Sequence, residues 1–396
     1  MATARTISDF ATSSDRSNAN LLVYLVAMPP EQLGAVLSNL ASTLGSEDLL
    51  VAAPEGTQAE GYPPLKIIPA PASNPSLTLT AADFLNAHHL AEKVDARAIL
   101  ILGQESGSLH SSALQDLSSS ILTGSADLAL PCYDLPPRAG LVNSAILYPL
   151  TRALFASRAR FPLAIDLGLS PRMAERMAGA AQRFTAMNQA EAIVWPVSEA
   201  AATGFMLTEF DVGPRTLPQP TEPDINAILV AVTGSLFAEI DAKAAFWQRP
   251  RQLPPKRNAL AQSISAETPV DIEPMLEAFR LAYTNLQEIW SLVLPPNTLL
   301  GLKRLSVTNA SAFRMPDNLW ARIVYDFLVA YRLRTINRGH LLGALIPLYL
   351  AWVAGHINVT ASGTNAERHI ESVAAAFEAD KPYLVARWRW PDRFNP

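Results

Sequence analysis

The stretch "ILILGQESGSL", residues 99–109, decides how the first half of the chain is interpreted. A continuous apolar run, residues 98–102, stops at Gly103 and gives way to polar residues, among them Glu105. Strands that are buried on both faces have such runs, because no alternate position faces water. In α/β proteins the ligand lies at the carboxyl ends of strands of this kind. The stretch therefore predicts a buried parallel strand that carries Glu105 to a binding edge.

Similar apolar runs on both sides of this stretch alternate with helical patterns. The strand-like runs are "LLVYLVAM" (21–28), "DLLVAAP" (48–54), "LKIIPAP" (65–71), "ARAILIL" (96–102) and "ADLALPCY" (126–133). The segments between them have apolar residues at helical spacing, and the one at 80–94 begins with Thr80 as a helix cap and Asp83 in the first turn. Strands that alternate with helices favour an α/β fold with a mostly parallel sheet flanked by helices.

The second half of the chain is predicted to be mainly helical. "LLGALIPLYLAWVA", residues 341–354, is short for a membrane span and contains Pro347, so we expect a buried core helix and no membrane span. Near the C-terminus, Thr364 and Glu367 have the spacing of a capping box. The predicted organisation is a flexible arm at 1–20, an α/β domain at 21–249, a proline-rich linker at 250–270 and a helical region at 271–396.

Composition narrows the class of protein. The chain has 396 residues, a formal net charge of -5, 49% hydrophobic and 17% charged residues, which is typical of a soluble globular protein and not of a nucleic-acid binder. Cys132 is the only cysteine, which excludes an intrachain disulfide and a cysteine-based metal cluster. The N-terminus has no apolar core of a signal peptide. We therefore expect a cytoplasmic protein.

Asp166 is the most conspicuous charged residue of the first half, because it lies among apolar residues in "FPLAIDLGLS". An isolated carboxylate in such surroundings is costly unless it is paired. One interpretation is a carboxylate that positions an acceptor hydroxyl. The other is a structural ion pair with Arg152 or Arg160, which composition alone favours.

The segment around Asp166 resembles a stretch of the glucosylglycerate and mannosylglycerate synthase-type glycosyltransferases, "YPLTRALYG…R-Q-P-I-G-G-[DE]-F-G-x-S". This chain has "YPLTRALFA" and then Arg160, Pro162, Asp166, Gly168 and Ser170 at the matching positions. Further similar stretches follow in the same order from about residue 96 to near the C-terminus. The resemblance implies a GT-A-like α/β fold with a helical C-terminal extension, and transfer of a hexose from a nucleotide diphosphate sugar to a glycerate-like acceptor.

The resemblance also implies roles for single residues. Asp166 would be the catalytic residue and would bind the acceptor together with Arg160 and Ser170. Glu105 and Arg215 would bind the donor, since a guanidinium can bind phosphate oxygens bidentately. The other interpretation of Glu105 is an exposed carboxylate in a loop.

The metal ligands of that family are altered in this chain. The family's Asp-x-Asp corresponds to Gly103 and Glu105, and its metal-binding histidine corresponds to Leu217. One glutamate is a poor site for a hard divalent ion, which takes several oxygen ligands. We therefore predict no protein metal site, and Mg²⁺ or Mn²⁺ only where a bound donor supplies oxygens.

Two classes of function stay open at this point. The first is a hexosyltransferase, metal-dependent or metal-independent, with a nucleotide sugar and a small-molecule acceptor as partners. The alternative is a non-catalytic relative that keeps the fold to bind a ligand or a partner protein. Either is compatible with a homodimer, and neither involves nucleic acid.

Overall fold

The structure is a computed structural model of the 396-residue chain. It describes residues 19–44, 48–58, 61–71, 78–215, 225–252 and 270–390. The arm predicted at 1–20 and the linker predicted at 250–270 lie almost entirely outside these residues, so both stay predictions.

Seven strands form one sheet in the spatial order β3-β2-β1-β4-β6-β5-β7. They are β1 Leu21–Leu25, β2 Leu49–Ala53, β3 Lys66–Pro69, β4 Ala98–Leu102, β5 Leu128–Asp134, β6 Leu167–Leu169 and β7 Leu207–Pro214. Among these strands, only β6 runs antiparallel to its neighbours, β4 and β5. The predicted mostly parallel sheet is confirmed.

The central strands are buried on both faces, as their continuous apolar runs predict. Every residue of β1, β2 and β4 is buried. The covering helices are α1 Pro30–Leu44, α2 Ala81–Lys93, α3 Ser111–Leu122 and α5 Pro171–Thr185. Thr80 caps α2 and forms a capping box with Asp83, so the predicted start of this helix is confirmed.

The direction of β6 decides which residues meet at which edge of the sheet. We call the edge where the parallel strands end the carboxyl edge. Because β6 is antiparallel, Asp166, which precedes it, lies at the carboxyl edge beside Gly103, which follows β4. Ser170 follows β6 and lies at the opposite edge beside Asp127, which precedes β5.

A second apolar core is built mainly from helices. Its helices include α4 Tyr148–Phe155, α7 Ile225–Ala242, α9 Glu273–Asn285, α10 Gln287–Val293, α11 Pro296–Ser306, α12 Asp317–Leu333, α13 Arg338–Ala361, α14 Ala366–Ala379 and α15 Lys381–Arg389. The shorter helices α6 Pro196–Thr203 and α8 Ala244–Trp247 pack beside α4. The helical C-terminal region predicted at 271–396 is confirmed over the described residues 271–390.

Helix α13 contains the apolar stretch with Pro347 in its interior. It is long and apolar enough to cross a membrane, but most of its apolar segment is buried inside the protein. Leu341, Leu345 and Leu348 are fully buried. The predicted core helix is therefore confirmed, whereas the absence of a membrane span stays a prediction.

Candidate functional site at the carboxyl edge

Asp166 is the centre of a buried polar cluster at the carboxyl edge. Its side chain is 0% exposed. Oδ1 accepts the backbone N–H of Gly103 at 2.9 Å, and Oδ2 accepts the hydroxyl of Tyr133 at 3.2 Å. The guanidinium of Arg215 reaches the same Oδ2 with Nη2 at 2.7 Å, and its side chain is 1% exposed. Each charge of this pair thus has its counter-charge inside the protein.

An ion pair, one of the two interpretations of Asp166, does form, but its partner is Arg215 and neither Arg152 nor Arg160. Strand β7 runs parallel to β5, so Arg215, which follows β7, arrives at the carboxyl edge, where its N–H donates to the carbonyl of Asp134 at 3.2 Å. Arg152 instead points away and binds Glu371 and Glu378 of α14 at 2.7 Å each.

Tyr133 acts only as a hydrogen-bond donor to the pair of Asp166 and Arg215. Burial, and then the Asp166 carboxylate, raise the pKa of Tyr133 well above its ordinary value. Tyr133 therefore stays a hydroxyl and donates to Asp166, and its ring lies 5.2 Å from the Arg215 guanidinium carbon. The role predicted for Asp166 toward an acceptor and a bidentate contact of Arg215 with a diphosphate would both compete with this pair.

Arg160 is held by a different carboxylate. Its Nε and Nη2 bind the two oxygens of Glu367 at 3.0 and 2.8 Å, and Nη2 also donates to Ser144 at 3.0 Å. Burial opposes the charge of Arg160, but the Glu367 carboxylate outweighs this effect and raises the pKa of Arg160.

The capping box predicted for Thr364 and Glu367 is wrong, because Asn365 caps α14 and Glu367 forms the ion pair with Arg160.

Ser170 is the N-cap of α5 at the opposite edge of the sheet. Its Oγ accepts the N–H of Met173 at 3.2 Å and donates to Asp127 at 2.9 Å. The structure therefore does not bring Ser170 together with Asp166 and Arg160, although the three residues are close in the chain.

Glu105 lies half-buried in a 3-10 turn, Gln104–Ser108, directly after β4. Asn39 of α1 anchors this turn by donating to the carbonyl of Leu109 at 2.8 Å. A Cβ added to Gly107 would lie 3.0 Å from the Cβ of Ala35. The turn is thus packed directly against α1.

The side chains present do not fit the divalent metal that the resemblance implies. A Cβ added to Gly103 would lie 2.4 Å from Cγ2 of Ile165, so an acid at this position requires Ile165 to move. Leu217 lies outside the described residues. Within the part of the chain that the structure describes, no group of three or more His, Cys, Asp or Glu side chains is placed to hold a metal ion.

A cavity of about 210 Å³ lies beside the ion pair at the carboxyl edge. Its polar contributors include Tyr133, Asn143 and Arg215, whereas most of its wall is apolar. Sites for drug-sized ligands usually measure roughly 300–1,000 Å³. This cavity is therefore small for a nucleotide sugar.

No protein-family model and no curated protein matches the chain. Its structure is similar to that of glucosyl-3-phosphoglycerate synthase from Mycobacterium tuberculosis in complex with phosphoglyceric acid, with 13% identity, a TM-score of 0.37 and coverage of 57% of this chain and 81% of that chain. The complex of that enzyme with Mn²⁺, uridine-diphosphate-glucose and phosphoglyceric acid gives 13% identity, a TM-score of 0.38 and coverage of 57% and 80%. A structure described as a mycobacterial protein gives 13% identity, a TM-score of 0.38 and coverage of 57% and 76%. Such a distant likeness transfers neither a substrate nor a residue role.

Sequence reasoning missed the partners of the predicted site residues. The apolar residues around Asp166 in the sequence indicate that it needs a counter-charge. No pattern in the neighbouring sequence identifies Arg215 as the partner. Glu367 is separated from Arg160 by 207 positions. Ile165, which fills the space over Gly103, reads in the sequence as an ordinary apolar residue.

Proposed function

We propose that this chain is a glycosyltransferase-like protein that binds a small ligand at the carboxyl edge and does not carry out metal-dependent sugar transfer. The observation that carries the proposal is the arrangement around Gly103. Ile165 occupies the space of the first metal-ligating acid, and the adjacent carboxylate, Asp166, is neutralised by Arg215 at 2.7 Å. A metal helps such a transfer by stabilising charge on the leaving diphosphate, and no carboxylate of this cluster is placed to hold one.

The three residues that would bind an acceptor support the same proposal. Arg160 is paired with Glu367, Asp166 with Arg215, and Ser170 with Asp127 at the other edge. An acceptor that replaced Glu367 on Nε and Nη2 of Arg160, or Arg215 on Asp166, would have to break a buried ion pair, and separating a buried pair is costly.

The test is a transfer assay with calorimetry on the full chain. UDP-glucose and GDP-mannose are titrated with and without Mn²⁺, and release of the nucleotide diphosphate is followed with glycerate and with 3-phosphoglycerate as acceptors. We expect no metal-dependent binding and no metal-dependent release. Transfer that needs Mn²⁺ would overturn the proposal and support the hexosyltransferase; transfer that is equal with and without Mn²⁺ would support the metal-independent version.

A gain-of-binding variant sharpens the test. Gly103→Asp together with Leu217→His restores the ligand types of the family, but the structure predicts that this pair is insufficient because Ile165 blocks position 103. We expect Mn²⁺ binding only after Ile165→Ala is added. The matched control is a triple variant that carries Gly103→Asn in place of Gly103→Asp. Asparagine has the shape of aspartate but lacks its negative charge.

A further inference from the structure

The cavity beside Arg215 has an apolar wall and few polar groups. The wall includes Val142, Leu147, Phe161, Leu163, Ile165 and Val232. Two of its polar side chains are already engaged, since Tyr133 donates to Asp166 and Asn143 donates to the carbonyl of Arg160 at 3.0 Å.

Arg215 lines the cavity and has a donor to spare. Its Nη2 binds Asp166, whereas Nη1 is buried and has no hydrogen-bond partner within the described part of the chain. A buried donor without a partner costs free energy, and an acceptor inside the cavity would remove this cost. The unpaired N–H and the cavity are independent observations that point to the same ligand.

The size and charge of the cavity restrict this ligand. An apolar cavity of about 150 Å³ holds benzene, so about 210 Å³ has room for one ring with a short substituent. Asp166 already neutralises Arg215 at 2.7 Å, so an anionic ligand would bring an uncompensated charge into an apolar space. A neutral acceptor avoids this penalty.

We propose that this cavity binds a neutral, monocyclic molecule with an apolar body and one carbonyl-type acceptor, which accepts a hydrogen bond from Nη1 of Arg215. The inference rests on the proposed function, because it names the ligand class of the same site.

The experiment compares acetophenone with ethylbenzene, which has the same shape but lacks the acceptor, by calorimetry on the full chain. Hydrogen bonds to charged groups predict that acetophenone binds roughly 10- to 100-fold tighter than ethylbenzene. Benzoate is expected to bind more weakly than acetophenone. Equal affinity for acetophenone and ethylbenzene, no binding of either, or tighter binding of benzoate would each overturn the inference.

Variants separate the cavity from unspecific binding. Val142→Phe fills the cavity from a half-buried position and should abolish binding of both probes. Arg215→Lys keeps a cation for Asp166 but loses the second nitrogen, so only the preference for acetophenone should disappear. Ala201→Phe, in a separate cavity beside Phe246, is the matched control and should change nothing. Binding that survives Val142→Phe would contradict the inference.

The outcome is distinguishable from that of the proposed function. Metal-dependent sugar transfer would overturn the proposed function. It would not decide this inference, because the affinities of acetophenone and ethylbenzene are measured without metal or nucleotide. Conversely, failure of both probes to bind removes this inference and leaves the transfer assay unaffected.

Discussion

The buried pair of Asp166 and Arg215 gives the sharpest prediction for stability. Asp166→Asn keeps an oxygen that accepts the Gly103 N–H, but it leaves the Arg215 charge in a position where its side chain is 1% exposed. Removing one partner of a buried ion pair costs about 3–5 kcal/mol, because the remaining charge is uncompensated. We expect the free energy of unfolding to fall by this amount at neutral pH.

The reverse variant and the double variant complete a thermodynamic cycle. Arg215→Met leaves the Asp166 carboxylate with two donors, the Gly103 N–H and the Tyr133 hydroxyl, so its cost should be smaller than that of Asp166→Asn. The double variant removes both charges and replaces the arginine with a flexible apolar side chain, and such replacements are often close to neutral. The double variant should therefore be more stable than Asp166→Asn alone.

The assay is equilibrium unfolding in urea with the midpoint and slope fitted for each variant. The control is Arg280→Met, which removes a partly exposed pair with Glu273 and should cost about 0–1 kcal/mol. If each single variant of the buried pair costs less than the control, or if the two single losses simply add in the double variant, the ion-pair argument is wrong.

Three further predictions concern packing and pH. Gly103→Ala should cost about 1–3 kcal/mol because its Cβ would lie 2.4 Å from Ile165, and adding Ile165→Ala should recover part of that loss in the same urea assay. Leu348→Ala should cost about 2–5 kcal/mol in the free energy of unfolding, since Leu348 is fully buried; a loss near zero would place this face of α13 outside the core. Burial, and then the charge of His369, lower the pKa of His356 from its ordinary value to about 4, so between about pH 6.5 and 4 the unfolded chain binds this proton more tightly than the folded chain. Stability should therefore be fully present above pH 6.5 and fall by up to about 3 kcal/mol toward pH 4, a slope that His356→Gln should reduce in unfolding curves measured across this range.

Local patterns in the sequence were sufficient for much of the fold. The five apolar runs correspond to β1 to β5. In β1, β2 and β4 the continuous run reflects burial on both faces, whereas the edge strand β3 is partly exposed. The start of α2 was predictable since Thr80 and Asp83 bind each other's backbone within one helical turn. Strands β6 and β7 gave no such signal: β6 has three residues, and β7 is mostly half-buried.

The candidate site was less predictable, because its contacts join distant parts of the chain. The sequence indicates that Asp166 needs a partner, but the choice of Arg215 depends on β7 lying parallel to β5. Position 103 was recognised as lacking an acid, whereas the reason that an acid cannot simply be restored is the side chain of Ile165. Neither the pairing of Asp166 with Arg215 nor the position of Ile165 over Gly103 can be predicted from a local sequence pattern.

The motif around Asp166 is better explained by folding than by a shared binding site. Its three polar residues are neighbours in the chain, yet the antiparallel strand β6 separates Asp166 from Ser170 across the sheet. Each residue makes a different structural contact. Ser170 caps α5, Asp166 binds both Gly103 and Arg215, and Arg160 connects this segment to α14 through its ion pair with Glu367. The fold needs all three contacts whatever the protein binds, since each joins elements that are distant in the chain. The polar residues of this motif are therefore accounted for by the contacts that hold the fold, and their presence alone does not indicate an acceptor site.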